Sequence, residues 1–249
     1  MPQSLKTSRD GRVLYLKLNR PEKRNALSYD LCVNLVEAME SAGSDPSVGA
    51  ILLCAEGRTF CAGMDLDEIL TPADGAIAAI HERLFTVGSR VFKPIVAAVD
   101  GAALAGGAGL LANAHIVVAS EVSSFGLTEI RIGLWPFLIF RAVCLAIGER
   151  RTLELTITGR IFEAEEALDI GLIHHIGPVE LAEELAAAAA AMSPDALRAG
   201  LQFANEIRGQ SWAEAGAASI RYRGELFRSA RFQESVLAFR EKRPPRTGG

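Results

Sequence analysis

This sequence predicts a layered α/β protein with parallel strand pairing and a helical C-terminal third, on three observations. Two wholly apolar runs, Ala50 to Cys54 and Ile95 to Val99, have strand length and no polar face, as strands covered on both sides do. Each follows an apolar stripe at helical spacing, and this alternation of helix and strand is the pattern of parallel pairing through crossovers. Beyond about residue 136 the periodicity is helical.

Taken in order, Lys6, Arg9 and Asp10 punctuate a short apolar alternation without a signal-peptide core. Leu14, Leu16 and Leu18 alternate with Tyr15 and Lys17, a strand with one buried face, before the turn Asn19-Arg20-Pro21-Glu22. Ser28 caps a helix whose stripe is Leu31, Cys32, Leu35, Val36 and Met39, ending before Gly43 and Asp45-Pro46. Ile77, Ile80, Leu84, Val87 and Val91 form a second stripe, read as one helix leading to the strand Ile95 to Val99. A Gly-rich turn and a short helix precede the strand Ile116 to Ala119. Ser193-Pro194 is an N-cap with proline at the first helical position, and Ser211-Trp212-Ala213-Glu214 is a capping box. Ala186 to Ala191, with Leu181 and Leu185, reads as packed helix. No break in composition marks a linker.

The chain has 249 residues, 49% hydrophobic and 22% charged, with a net charge of −4, a composition that excludes a disordered chain. The acidic balance argues against nucleic acid as the main partner. Cys32, Cys54, Cys61 and Cys144 form no CxxC pair and share no metal-ligand spacing with the four histidines, so a reduced, cytoplasmic protein without structural zinc is expected. The longest apolar stretches, such as Pro136 to Ile147 with Arg141 inside, fall short of a membrane span.

Four stretches are chemically suggestive. Asn19-Arg20-Pro21-Glu22-Lys23-Arg24-Asn25-Ala26-Leu27 is either a solvated loop or a place where Lys23 or Arg24 meets an anion, phosphate above all. Phe60-Cys61-Ala62-Gly63-Met64-Asp65-Leu66 suits a strand-to-helix turn with outward-facing N–H groups. Gly101-Ala102-Ala103-Leu104-Ala105-Gly106-Gly107-Ala108-Gly109 lets backbone approach a ligand closely and offers N–H donors where a helix begins. That loop lacks the Gly-Lys-Ser/Thr ending of a P-loop. Gly107-x-Gly109-x-x-Ala112 has the outline of a dinucleotide fingerprint, but Glu121 follows after only about two helical turns, too few for a crossover helix. The fourth is Glu129, set among Phe125, Leu127, Ile130, Ile132, Leu134, Trp135 and Phe137. A helix-end or salt-bridged glutamate is one reading; a desolvated carboxyl tuned as a general base near neutral pH is the other.

In this order and at these separations the four stretches resemble the crotonase family, the enoyl-CoA hydratase/isomerase superfamily. The likeness runs from Leu14-Tyr15-Leu16-Lys17-Leu18-Asn19-Arg20-Pro21 to Ala238-Phe239-Arg240-Glu241-Lys242-Arg243-Pro244. It implies a spiral of ββα units over residues 1–190 and a helical trimerisation region over 191–249, forming one functional unit assembled as homotrimers or dimers of trimers. It further implies an acyl-CoA thioester as ligand, coenzyme A entering only as part of the substrate, with no metal or redox cofactor and no membrane insertion. By the same resemblance the backbone N–H groups of Met64 and Gly106 form an oxyanion hole. Lys23 and Arg24 then face the CoA phosphates, Ala26, Ala62, Gly63, Asp65 and Leu66 are further CoA-binding positions, and Lys242 reaches a neighbouring subunit's ligand.

One departure bears on the reaction. Hydratases of the family position water between two glutamates; here the first position is Gly109 and the second is Glu129. A lone carboxylate suits a 1,3-proton shift, taking an α-proton from a 3-enoyl thioester and returning it to the γ-carbon without water. The family's enoyl-CoA isomerases resemble this pattern, and Ile132-Gly133-Leu134-Trp135-Pro136-Phe137 resembles their apolar wall. The dehalogenase branch carries a nucleophilic aspartate where this chain has Phe137. The expectation is therefore 3-enoyl-CoA to 2-enoyl-CoA isomerisation with Glu129 as base and acid. Two rivals stand beside it: a hydratase or related lyase pairing Glu129 with Asp67 or Glu68, and a non-catalytic acyl-CoA binding paralogue. The loop 70–76 and the helix after it are expected to shape the acyl tunnel.

Overall fold

A computed structural model describes residues 3–69 and 75–244. The chain divides into two compact units, Met1–Ala191 and Met192–Gly249.

In the first unit the elements in order are β1 (Leu5–Asp10), β2 (Val13–Leu18), α1 (Tyr29–Ser44), β3 (Ala50–Ala55), β4 (Thr59–Cys61), α2 (Leu66–Ile69) and α3 (Ala76–Phe85). There follow β5 (Ile95–Val99), β6 (Ala102–Leu104), α4 (Gly106–Ala112), β7 (Ile116–Ala119), β8 (Ser124–Gly126), a 3-10 turn over Thr128–Ile132, α5 (Phe137–Ile147) and α6 (Glu149–Thr158). The unit closes with β9 (Ile161–Glu163), α7 (Ala164–Asp169), β10 (His175–Ile176) and α8 (Val179–Ala191). A six-stranded sheet has the order β1-β2-β3-β5-β7-β10, and a four-stranded sheet the order β4-β6-β8-β9. Each long strand hands over to a short strand of the second sheet and then to a helix: β3-β4-α3, β5-β6-α4, β7-β8-α5. This is the expected ββα spiral.

The parallel register explains the apolar runs. Leu53 pairs with Ala97 and Ala97 with Val117, so one set of side chains faces α1, α3 and α4. The alternate set, including Leu52, Val96, Ala98 and Val118, faces α8. Ala182, Ala186 and Ala190 lie on one stripe of α8 and are buried. Small residues there let the helix lie close to the sheet; a Cβ on Gly49 would stand 2.7 Å from the Ala190 carbonyl oxygen. The Ala-rich segment is packed helix, as its composition suggested.

Ser28, Ser193 and Ser211 cap α1, α9 (Pro194–Glu206) and α10 (Trp212–Arg228), and the capping box of Ser211 with Glu214 is formed. With α11 (Ala230–Arg240), α9 and α10 make up the helices of the second unit. Two readings need correction, and one strand was not read from the sequence. The stripe from Ile77 to Val91 is not one helix: α3 ends at Phe85, and Val87 and Val91 are buried beyond it. The N-terminal alternation is a strand, β1, antiparallel to β2, whose outer five residues are exposed. The chain beyond residue 136 also contains the short strands β9 and β10. No helix of the described residues is long and apolar enough to cross a membrane.

Candidate active site

Two turns meet at the top of the short sheet. After β4 the chain bends at Gly63, whose φ of +101° is a glycine conformation. A Cβ there would stand 2.9 Å from the Ala105 Cβ and 3.6 Å from the Gly106 nitrogen, so only glycine lets the turns approach. Leu27 donates to the Gly63 carbonyl at 2.7 Å, and Asp65 donates to the Leu27 carbonyl at 3.1 Å. These two bonds make a parallel bridge between Leu27 and Met64. In such a bridge the central residue's own N–H points the other way, so the Met64 N–H is directed away from Leu27.

The facing turn is held in strain. Ala105, a residue with a side chain, sits at φ +51° and ψ −120°, and its N–H is fixed by the Gly126 carbonyl at 2.8 Å. Gly106 then opens α4, where a first-turn N–H has no acceptor within the helix. Among the described residues neither the Met64 nor the Gly106 N–H donates to a protein acceptor. Both residues line one cavity of about 740 Å³, shared with Leu66, Phe85, Glu129 and Trp135.

Glu129 follows β8 in the 3-10 turn, which Leu134 ties down by donating to the Glu129 carbonyl at 3.1 Å. The residue is 7% exposed, and its Oε2 is buried with no hydrogen-bond partner among the described residues. Burial pushes the carboxyl from its ordinary 4.5 up to about 7, against a smaller opposing effect of its own backbone N–H. The group therefore exchanges a proton near neutral pH. The apolar wall expected from Ile132 to Phe137 lines the same cavity.

At the position of the absent second carboxylate the space is filled. A Cβ on Gly109 would lie 2.3 Å from Ile139 Cγ2 and 3.1 Å from Phe85 Cε1. Neither proposed substitute replaces it. Asp67 is exposed and paired with Lys23 at 2.7 Å, Glu68 accepts from the Tyr29 N–H at 2.6 Å, and neither lines the cavity. Glu129 is the sole carboxylate among the described lining residues.

Lys23 and Arg24 are exposed side by side, Ala26 and Ala62 are half-buried, and Lys242 is exposed just past α11 in the second unit. Asp65 is buried rather than open to a ligand. Its Oδ2 accepts from Arg20 Nη2 at 2.9 Å, while Arg20 Nη1 donates to the Ala26 carbonyl at 2.6 Å. Asn25 completes the knot by donating to the Glu56 and Thr59 carbonyls. Arg20 thus braces the turn that presents Met64, a role not read from the sequence because its partner lies 45 positions away. Replacing Arg20 by methionine leaves the buried Asp65 charge unpaired. The expected result is a loss of about 3 kcal/mol in thermal or urea unfolding, with a fall in turnover as the Met64 N–H loses its bracing.

His81 was also missed. It lies four residues after Ile77 and three before Leu84, on the apolar face of α3, and a histidine at that spacing was the available signal. It is 2% exposed and lines the cavity. Of the loop 70–76, residues 70–74, with Thr71, Pro72, Ala73 and Asp74, lie outside the described residues. Gly75 and the α3 residues Ile77, Ala78 and Phe85 line the cavity.

The sequence profile described as enoyl-CoA hydratase/isomerase matches residues 8–249. The chain is 36% identical to a putative enoyl-CoA hydratase of Thermus thermophilus, over 95% of this chain and 97% of that protein. It is 33% identical to the 2,3-dehydroadipyl-CoA hydratase of Escherichia coli, over 96% of each. The crystal structure of an enoyl-CoA hydratase from Mycobacterium smegmatis superposes with a TM-score of 0.92 at 28% identity, covering 98% of both chains. A spiral of ββα units matched along its length by such proteins defines a crotonase-fold enzyme of acyl-CoA chemistry. The chain belongs to the enoyl-CoA hydratase/isomerase family.

Proposed function

We propose that the protein isomerises 3-enoyl-CoA thioesters to 2-enoyl-CoA thioesters. The thioester oxygen sits between the N–H groups of Met64 and Gly106, and the acyl chain enters the apolar cavity. Glu129 removes an α-proton, and the C–H electron pair moves into a dienolate whose oxygen takes up charge against the two N–H donors. The same carboxyl then returns the proton to the γ-carbon, leaving the double bond conjugated with the thioester. Apolar walls keep water from the intermediate. Lys23 and Arg24 meet the CoA phosphates, and Lys242 reaches toward a neighbouring subunit's ligand.

The observation that carries this reading is the occupation of the Gly109 side by Ile139, which leaves one carboxylate among the described residues of the cavity. Hydration is the second reading, favoured by the hydratase names of the relatives. A side-by-side assay separates them: purified protein is expected to turn over 3-hexenoyl-CoA about a hundredfold or more faster than it hydrates crotonyl-CoA, the margin that a missing acid–base partner removes. Comparable rates would favour hydration, and tight acyl-CoA binding with no turnover would favour a non-catalytic paralogue. We also propose a homotrimer or a dimer of trimers in the cytoplasm, supported by the exposed Trp212, Ile220 and Phe239 on the C-terminal helices.

A further inference from the structure

Glu129 can move a proton only from where its backbone holds it, and that backbone is a short piece. It lies in the 3-10 turn over Thr128–Ile132, a form whose hydrogen bonds have poorer geometry than those of an α-helix. Its Oε2 has no partner among the described residues, so no bond at that oxygen fixes the carboxyl. Gly133 donates to the Ile130 carbonyl at 3.0 Å and Leu134 to the Glu129 carbonyl at 3.1 Å; these bonds set the shape of the turn, not its place.

Its place is set from outside, by three consecutive residues where α6 ends. Before the turn, Gly126 pairs with Ile161, and a Cβ on Gly126 would stand 2.9 Å from the Arg160 carbonyl oxygen. After Glu129, Arg131 Nε donates to the Gly159 carbonyl at 2.7 Å. Gly159 is buried at φ +57°, and a Cβ there would stand 2.6 Å from Ile130 Cγ2. Arg160 anchors this corner in turn, with Nε on Glu154 of α6 at 2.7 Å and Nη1 on Glu166 of α7 at 2.8 Å. The carbonyl that Arg131 reaches belongs to the C-terminal end of α6, where carbonyls lack partners within the helix and a cationic donor is favoured.

We infer that Arg131 is a positioning residue: its bond to the Gly159 carbonyl holds the turn so that the Glu129 carboxyl stays inside the cavity. Arg131 is itself exposed and does not line the cavity, so it acts through the turn and not on the substrate. The inference rests on the reading of Glu129 as the proton carrier and adds the group that keeps it in place.

Arg131→Gln and Arg131→Met test it, each with and without Glu129→Gln. Glutamine carries its amide nitrogen as many bonds from Cα as arginine carries Nε, so it keeps the donor and removes the charge; methionine removes both. In Arg131→Met, kcat for 3-hexenoyl-CoA is expected to fall about tenfold with KM within about twofold, the mark of a displaced proton carrier. The plateau of its kcat/KM profile is expected to move from near pH 7 toward 4.5 as water reaches the loosened carboxyl. Arg131→Gln is expected to match wild type in each. His81, the other titratable side chain among the described lining residues, is present in every protein and cancels from the comparison.

Melts read the same displacement without a reaction. Glu129→Gln should raise the melting temperature more at pH 8 than at pH 4.5 in wild type and in Arg131→Gln, and by roughly half as much or less in Arg131→Met. Arg131→Met with the wild-type profile and the full rise overturns the inference. So does Arg131→Gln behaving as Arg131→Met, since the charge and not the bond would then be the agent. If wild type turns over no 3-enoyl thioester, the proposed reaction falls and the melts decide alone. A rise kept in Arg131→Gln and halved in Arg131→Met then upholds the role of Arg131; no rise, or an equal rise in all three, overturns it.

Discussion

Glu129→Gln is expected to slow isomerisation of 3-hexenoyl-CoA by about a thousandfold, because one group serves as both base and acid in the same turnover. The same substitution is expected to stabilise the fold above neutral pH. A carboxyl whose folded pKa stands at about 7 rather than 4.5 binds its proton more tightly in the folded chain than in the unfolded one. Stability from this residue is therefore complete below about pH 4.5 and is lost as pH rises toward 7. The loss amounts to about 3 kcal/mol, and it falls on the wild type alone since glutamine does not ionise. Thermal melts at pH 8 should place the variant several degrees above wild type, and melts near pH 4.5 should bring the two together. A variant less stable than wild type at pH 8 would mean that the carboxylate has a partner, and the proton shuttle would lose its basis.

Gly109→Ala is expected to destabilise by about 1–3 kcal/mol, although alanine replacing glycine inside a helix ordinarily helps by up to about 1 kcal/mol. The backbone at 109 needs no glycine; the added Cβ meets Ile139, a stiff β-branched residue that is 2% exposed. The clash predicts a gain of function when the space is reopened. Gly109→Glu alone should misfold or lose activity, whereas Gly109→Glu with Ile139→Ala should hydrate crotonyl-CoA about a hundredfold faster than Ile139→Ala alone, the lower end of the roughly 10²–10⁴ range of a positioned acid–base group. Hydration that is already fast in wild type, with no increase in the double variant, would show that a second carboxylate is not what the site lacks. Unfolding curves and a crotonyl-CoA assay on wild type and the four variants measure both effects.

What could be read along the chain follows from which forces act locally. β3, β5 and β7 were legible because both faces are covered, which makes the runs wholly apolar. The serine caps were legible because the bond that defines each closes within three residues. β1 escaped because an exposed edge strand places few demands on composition, and β4, β6 and β8 because three residues carry no period. Glu129 showed itself through apolar neighbours in its own segment. Arg20 with Asp65 and Ile139 against Gly109 join distant segments, and nothing local to either partner announces the contact.

The central claim is that one desolvated carboxyl in an apolar cavity, facing two free amide hydrogens, performs the chemistry. The pH profile of kcat/KM for 3-hexenoyl-CoA tests it most directly, since that profile reports the free enzyme's essential base. The account predicts a tenfold rise per pH unit that levels off near pH 7, where burial places Glu129. A profile flat from pH 5 to 9, or one levelling off near 4.5 as for a solvated glutamate, would contradict it.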